Sequence, residues 1–357
     1  MPPTKGQQAK AAAKIEECVE DIKKAEFVAI DTEFTGIFDP PTRSCNARSL
    51  EEFLEMAADS AAQFSTIQVG VCTARRESDE DPFAWSLTAH NFMTCPDGQA
   101  RVFKVDVASL SFLRQHDFDF NEWLDTGIPH SKLQPIFHAL RKSKVVVVHH
   151  GLFDLLHTAT HFVSAKDAAQ AGAKDGEAYA VLPEPLRLWV DRPGTSVVFD
   201  TRHVAQEGRY SVLEALDRSL SPDPLLAHLL SKPYKSKFKL RAGEEKYVLP
   251  TDAKNDDDYP SHEAGYDALV TGLIFVLLME RFMAHRDARR KLKRTADGEP
   301  KAPDEERRPE ASLPLAEVDC QTALPNWVQH KVCQRFADTI ALNFAPGCLA
   351  MKPKKSG

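Results

Sequence analysis

Four consecutive valines, Val145–Val148, follow Lys144. A continuous β-branched run of this length belongs in a strand covered on both faces, since a half-exposed strand would alternate apolar with polar residues. Two more short apolar runs, EFVAI (26–30) and SVVF (196–199), read the same way. STIQVGVCTA (65–74) and the segments 83–92 and 101–107 are further strand candidates, the last two joined by a turn at Pro96-Asp97-Gly98. Helical spacing appears between these runs: over 47–61 (Leu50, Phe53, Leu54, Ala57, Ala58), Leu133–Arg141, Leu152–Phe162, Tyr210–Leu220 and a long stretch from Ser261 to Met283. Strands alternating with helices predict an α/β fold, a mixed sheet flanked by helices.

The 357 residues allow one large domain or two ordinary ones. We expect a polar, Ala- and Lys-rich lead over 1–20 and one large domain over 21–285. A surface insertion rich in Ala, Gly and Pro falls at about 163–195. A charged linker follows over 286–312, and then a helical C-terminal appendage and tail over 313–357. Residues 231–260 are basic first and acidic afterwards, and read as a loop with one strand at 246–249. No apolar run approaches the roughly 20 residues of a membrane span, and the first residues lack the apolar stretch of a secretory signal. The 45 Lys and Arg against 52 Asp and Glu give a net charge of −7, which excludes a basic coat for non-specific nucleic-acid binding. A phosphate partner must therefore be held locally, by metal ions or a few placed cations. The seven cysteines are scattered without a Cys-x-x-Cys, so a reducing compartment is expected, with neither a disulfide framework nor a zinc ribbon.

Carboxylates stand where these elements begin and end. Asp31 and Glu33 follow the first apolar run, Asp154 opens the helix after the valines, and Asp267 lies near the start of the long helix. Residues 31 and 33 share a strand face. Four carboxylates gathered at one sheet edge raise one another's pKa, and two divalent cations would offset that repulsion. Paired ions about 3.5–4 Å apart can activate a water and stabilise the leaving oxygen of a phosphodiester. Oxygen ligands favour Mg²⁺, with Mn²⁺ as a substitute, over zinc. His262, which opens the segment HEAGYD, is placed to take the proton of that water. Gly265 allows a tight turn there.

The surrounding motifs resemble those of the DEDDh 3′→5′ exonucleases with an RNase H-like fold, and specifically the poly(A)-specific ribonuclease group with its small-nuclear-RNA-trimming relatives. The segments that carry the likeness are AIDTEFTGIF (29–38), FLRQHDFDFN (112–121) with GIP (127–129), VVVHHGLFDLLHT (146–158), VVFDTRHVA (197–205) and HEAGYDALVTG (262–272). The resemblance spans about residues 26–280. It implies that Asp31, Glu33, Asp154 and Asp267 bind the metals and that His262 is the general base. It further implies substrate contacts at Phe34, where the 3′-terminal adenine stacks or packs, and at Ile37, His150 and Arg202. Arg202 stands where this group tends to carry Lys, and His150 where it often has Asn.

The gap from Glu33 to Asp154 leaves no room for the small nucleic-acid-binding domain that some members insert there. No RRM-like stretch follows residue 280, and no zinc-finger spacing occurs. A homodimer is an option that the resemblance raises and that no feature of the sequence shows.

Several weaker patterns have plain readings. His157 and His161, one helical turn apart and near His149-His150, read as helix-face histidines rather than a zinc site. Asp256-Asp257-Asp258 reads as a solvated loop. The basic run Arg289–Arg294 reads as a solvated helix end or a nuclear localisation signal. No P-loop or Gly-x-Gly-x-x-Gly is present, so no nucleotide cofactor is expected. The sequence thus predicts a Mg²⁺-dependent 3′→5′ exoribonuclease that trims single-stranded poly(A) or oligo(A) tails and releases 5′-AMP, in the nucleus or cytoplasm. The rivals are a silent RNA-binding scaffold on the same fold and a DNA 3′→5′ exonuclease.

Overall fold

A computed structural model describes residues 4–38, 47–78, 80–98, 102–163, 182–190, 197–206, 221–231, 234–241, 247–250, 262–282, 336–342 and 348–351, together with the backbone of 283–296. In chain order its elements begin with α1 (Lys5–Lys24), β1 (Phe27–Phe34), α2 (Leu50–Gln63), β2 (Thr66–Arg76) and β3 (Ala84–Cys95). Next come α3 (Val107–Gln115), α4 (Phe120–Thr126), β4 (Ile128–Pro129), α5 (Gln134–Lys142), β5 (Val145–Val148) and α6 (Leu152–His161). Then follow α7 (Glu184–Val190), β6 (Val197–Asp200), α8 (Thr201–Gln206), α9 (Pro222–Leu230), β7 (Lys237–Leu240) and α10 (Ala264–Ala296). The last two strands are β8 (Thr339–Ala341) and β9 (Cys348–Ala350).

The nine strands among the described residues join one sheet in the order β4-β3-β2-β1-β5-β6-β8-β9, with β7 pairing to β3. Strand β2 runs antiparallel to both β1 and β3, whereas β1, β5, β6 and β8 pair in parallel. The five strands β3-β2-β1-β5-β6 form the core of this mixed sheet. The valine run explains itself in the packing. Val145 and Val147 face a layer built on α10 and α9, with Phe27, Trp85, Leu273 and Phe275. Val146 and Val148 face the opposite layer of α1, α2, α5, α6 and α7, with Ile30, Leu54, Leu155 and Trp189. Each residue is buried whichever way it points, so no alternation is needed.

Local signals set the helix starts. A capping box between Thr4 and Gln7 opens α1, which buries Ile15, Cys18 and Ile22 at helical spacing. The Ser49 and Asp106 side chains cap α2 and α3. Among the described residues no helix is long and apolar enough to cross a membrane.

Several expected boundaries change. Helix α1 runs through the boundary set at residue 20 and docks on the sheet, where Asp21 meets His90 Nε2 at 3.1 Å. The strand of the 231–260 region is β7 at 237–240, while 247–250 is irregular. Its register is fixed because Glu280 of α10 accepts from Ser236 N at 3.0 Å and from the Lys235 amide. Residues 102–107 supply no strand, only a bridge from Lys104 to Phe64. Within the expected insertion, 184–190 forms α7, with Leu186 and Trp189 in the core. Helix α10 continues to Ala296, into the expected linker. The Tyr210–Leu220 helix, Asp256–Asp258, the rest of the linker, the side chains of Arg289–Arg294 and the closing tail lie outside the described residues.

The described part of the C-terminal segment is a strand pair that extends the central sheet rather than a helical appendage beside it. Val198 N donates to Asp338 Oδ1 at 3.0 Å, and Asp338 N donates to Val198 O at 2.7 Å. Asp200, wholly buried, ties three segments together. Its carboxylate accepts from the backbone amides of His150 (3.0 Å), Gly151 (3.2 Å), Arg202 (2.9 Å), His203 (3.3 Å) and Ala341 (3.0 Å). Asp200→Ala leaves several of these donors unsatisfied and should lower the unfolding free energy by about 3 kcal/mol in urea titrations. Asp200→Asn, which keeps one acceptor oxygen, should fall between the two. Equal stability of Asp200→Ala and wild type would contradict this role.

Candidate active site

Strand β1 ends at the carboxyl edge of β5, where the expected acids meet. Asp31 and Glu33 share one face of β1, and Thr32 and Phe34 share the other. A register shift between Glu33 and Phe34 interrupts the pairing with β2 at this point. Asp154, in the first turn of α6, accepts a 2.6 Å hydrogen bond from Thr32 Oγ1. Asp267 arrives from the first turn of α10. Its carboxylate and those of Glu33 and the imidazole of His262 each offer an atom within 4.8 Å of the others.

Burial dominates the electrostatics. It pushes the Asp31 carboxyl well above the usual range, and Asp154, Asp267 and Glu33 push it further. Glu33 is raised by burial and then by Asp267 and Asp154. Asp154 is pushed up by burial to about 7, against the opposing hydrogen bond from Thr32. Asp267 is raised by burial and next by Asp223 of α9. Among the described residues no Lys or Arg pairs with any of these four acids. Four oxygen-only donors, Asp154 buried and the other three half-buried, without a cationic side chain among the described residues, are chemically suited to hard divalent cations. Asp31, Glu33, Asp154 and Asp267 fit such ions.

His262 lies at the entrance to α10 with φ +62°, a left-handed conformation. Its ring sits edge-on against His116 at 4.0 Å and against Phe112 at 4.6 Å. Burial, and His116 beside it, lower its affinity for a proton. Phe34 is backed by the ring of His157, 4.0 Å away and tilted by 30°. His157 Nδ1 approaches Thr66 Oγ1 at 3.3 Å and His161 Nε2 approaches Phe64 O at 3.0 Å, while the buried His157 Nε2 has no hydrogen-bond partner among the described residues. Ile37 is 42% exposed on the loop beyond β1, and its carbonyl accepts from the Ser60 hydroxyl.

His150 and Arg202 form a pair. Arg202 Nη1 donates to His150 Nδ1 at 3.0 Å. Burial and this guanidinium hold His150 down at about 4, so it is neutral. The Arg202 Nε atom is buried with no hydrogen-bond partner among the described residues. The five expected catalytic residues therefore meet, Phe34 adjoins them, and His150, on the turn just before α6, pairs with Arg202 of α8. Sequence reasoning did not single out Thr32, His116, Phe112 or Asp223. Thr32 stood inside the quoted motif, and its side of the strand would have flagged it. Phe112 and His116 likewise stood inside the quoted segment 112–121, whereas no local pattern marks Asp223, which arrives from a distant segment.

In the metal-free protein the four acids bind more protons folded than unfolded above the ordinary carboxylate range, Asp154 up to about pH 7. Their folded pKa values are raised, so stability is lost as pH rises from roughly 4 through the folded values. The melting temperature in EDTA should fall between about pH 5 and pH 8, and Asp154→Asn should flatten that fall. Mg²⁺ or Mn²⁺ should raise the melting temperature at the upper end, and Asp31→Asn should abolish the gain. A cation-independent wild type would refute the metal-site reading.

The sequence profile of the CAF1 family ribonuclease matches residues 7–135 and 193–275, together more than half of the chain. Asp31, Glu33, His262 and Asp267 fall inside the match, and Asp154 falls between its two parts. The poly(A)-specific ribonuclease PARN of Arabidopsis thaliana is 33% identical over 137 residues, 35% of this chain and 19% of that protein. PARN of Danio rerio is 32% identical over 117 residues, 30% of this chain and 17% of that protein. The matches thus span about a fifth of the length of these curated relatives. Among solved structures, S. pombe Pop2p in an Mg²⁺- and Mn²⁺-bound form is similar at 15% identity and a TM-score of 0.46. That alignment covers 74% of this chain and 86% of Pop2p.

Proposed function

The chain belongs to the CAF1 family of ribonucleases, and we propose that it is a divalent-metal-dependent 3′→5′ exoribonuclease that removes adenosines from RNA tails. The observation that carries this reading is the convergence of Asp31, Glu33, Asp154 and Asp267, unneutralised by any described cationic side chain, beside an imidazole held at a left-handed backbone position.

The four carboxylates would hold two cations. Once bound, these supply Lewis-acid stabilisation of the charge that develops on the phosphate and a more acidic water. The residues of the chain do the rest. His262, unprotonated at neutral pH, accepts the proton of the attacking water. Phe34, braced from behind by His157, offers its other ring face to the terminal base. Ile37 adds an exposed apolar contact next to it. The Arg202 guanidinium, oriented by neutral His150, meets a backbone phosphate. With a net charge of −7 the protein has little non-specific attraction for RNA, so these local contacts have to supply affinity. The preference for adenine and the release of 5′-AMP rest on the likeness to the poly(A)-specific ribonucleases.

The test is shortening of 5′-labelled RNA carrying a 3′ oligo(A) or oligo(U) tail, with Mg²⁺ or EDTA. The expected result is a Mg²⁺-dependent ladder, faster on oligo(A). Asp31→Ala and Asp267→Ala should abolish it, and His262→Ala should slow it by roughly 10²–10⁴-fold. Phe34→Ala should raise KM more than it lowers kcat. Equal rates on both tails would remove the adenine preference. Preference for a matched DNA would remove the RNA assignment, because the 2′-OH distinguishes the two. RNA binding without shortening would favour a scaffold.

A further inference from the structure

His262 occupies a backbone conformation that few side chains adopt unless their surroundings enforce it. The residues that follow it show what does so. The Glu263 carboxylate, whose charge also helps to raise Asp267, is held by the sheet side: its Oε1 accepts from Tyr247 OH at 2.7 Å and from Asn91 Nδ2 at 2.6 Å. The other end of the Asn91 amide accepts from Gly265 N at 3.2 Å. Gln68 Oε1 accepts from Ala264 N at 2.9 Å. Three consecutive residues after His262 are thus each tied to the sheet or to the 247–250 segment.

Steric fit reinforces the ties. The backbone of β2 at Gly70 lies so close that a Cβ there would stand 1.7 Å from Ala264 O. At Gly265 a Cβ would stand 2.5 Å from Tyr247 OH and 2.7 Å from the Asn91 Cβ. The Glu263 carbonyl accepts from Asp267 N at 2.9 Å, the first turn of α10. The clamp therefore fixes the start of the helix as well as the turn before it.

We propose that Glu263, with Asn91 and Tyr247 as its partners, is a positioning residue that holds His262 in its left-handed conformation, aimed at Glu33 and Asp267. Glu263 touches neither substrate nor reacting atoms in this role. It acts through the backbone it immobilises, so its loss should reduce turnover with little effect on RNA binding. This inference rests on the reading of His262 as the general base.

The experiment measures kcat and KM on oligo(A)-tailed RNA, with RNA affinity and melting temperature recorded for every variant. Glu263→Ala should lower kcat by roughly 10–100-fold while KM and RNA affinity stay within about threefold. Glu263→Gln keeps an acceptor for both partners and should recover most of that loss. Tyr247→Phe removes one hydroxyl, folds more surely than an alanine variant, and should show a smaller fall in kcat of the same kind. If Glu263 acts only through His262, then Glu263→Ala should cost nothing further in a His262→Ala background. A folded Glu263→Ala enzyme with wild-type kcat, or losses that multiply in the double variant, would overturn the proposal. Asp31→Ala runs alongside. Full activity in that variant would overturn the nuclease reading and this proposal with it. An inactive Asp31→Ala beside a fast Glu263→Ala would overturn the positioning role alone.

Discussion

The controlling constraint in this protein is the repulsion among four carboxylates, buried or half-buried, at one sheet edge. Burial is the largest influence on every one of them, and the charges of the others come next for Asp31 and Glu33. Such a group persists only where the surrounding scaffold is rigid enough to hold it. The sheet supplies that rigidity. Its central strands are covered on both faces, so β1 and β5 cannot slide without exposing an apolar side chain.

From that constraint the division of labour among elements follows. Strand β1 offers one face to α10 and the other to α6, so a single strand end can gather acids from both layers. Thr32 links it to Asp154 on one side while Asp31 and Glu33 meet Asp267 on the other. Asp200 does for the opposite rim what the clamp on Glu263 does for His262. Its five backbone partners include Ala341, so the C-terminal strand pair braces the turn that carries His150 and leads into Asp154. That pair lies outside the segments matched by the family profile, yet it is bonded directly to a residue inside them.

Legibility in the sequence varied with the range of the signal. The valine run, the helical spacing of 152–162 and the acids at element ends were readable because each depends on neighbours a few positions away. The long helix was readable from its apolar content, though its end was not, since charged residues continue it to Ala296. Strand β7 was obscured by its lysines: it pairs along only one edge and leaves alternate side chains exposed. Its place is fixed by Glu280, more than forty residues later in the chain. The C-terminal strands were hidden for the same reason. Three-residue strands carry almost no periodicity, and although Ile340 and Leu349 reach the core, their place in the sheet is set by Asp338 and Asp200.

The sequence alone determined the fold class, the identity of the acids and the histidine, and the family to which they belong. These follow from alternation, element order and motif, all of which are local. Only the tertiary structure decided how the acids are desolvated, which residue bonds each of them, and what holds His262 in its strained conformation. Those outcomes depend on contacts such as Asn91 with Glu263 and His116 with His262, whose partners are separated by more than a hundred residues. No spacing in the chain encodes such a meeting. It arises because closing the sheet with α10 brings β2, β3 and α3 to one corner, and burial there turns ordinary carboxylates into a site.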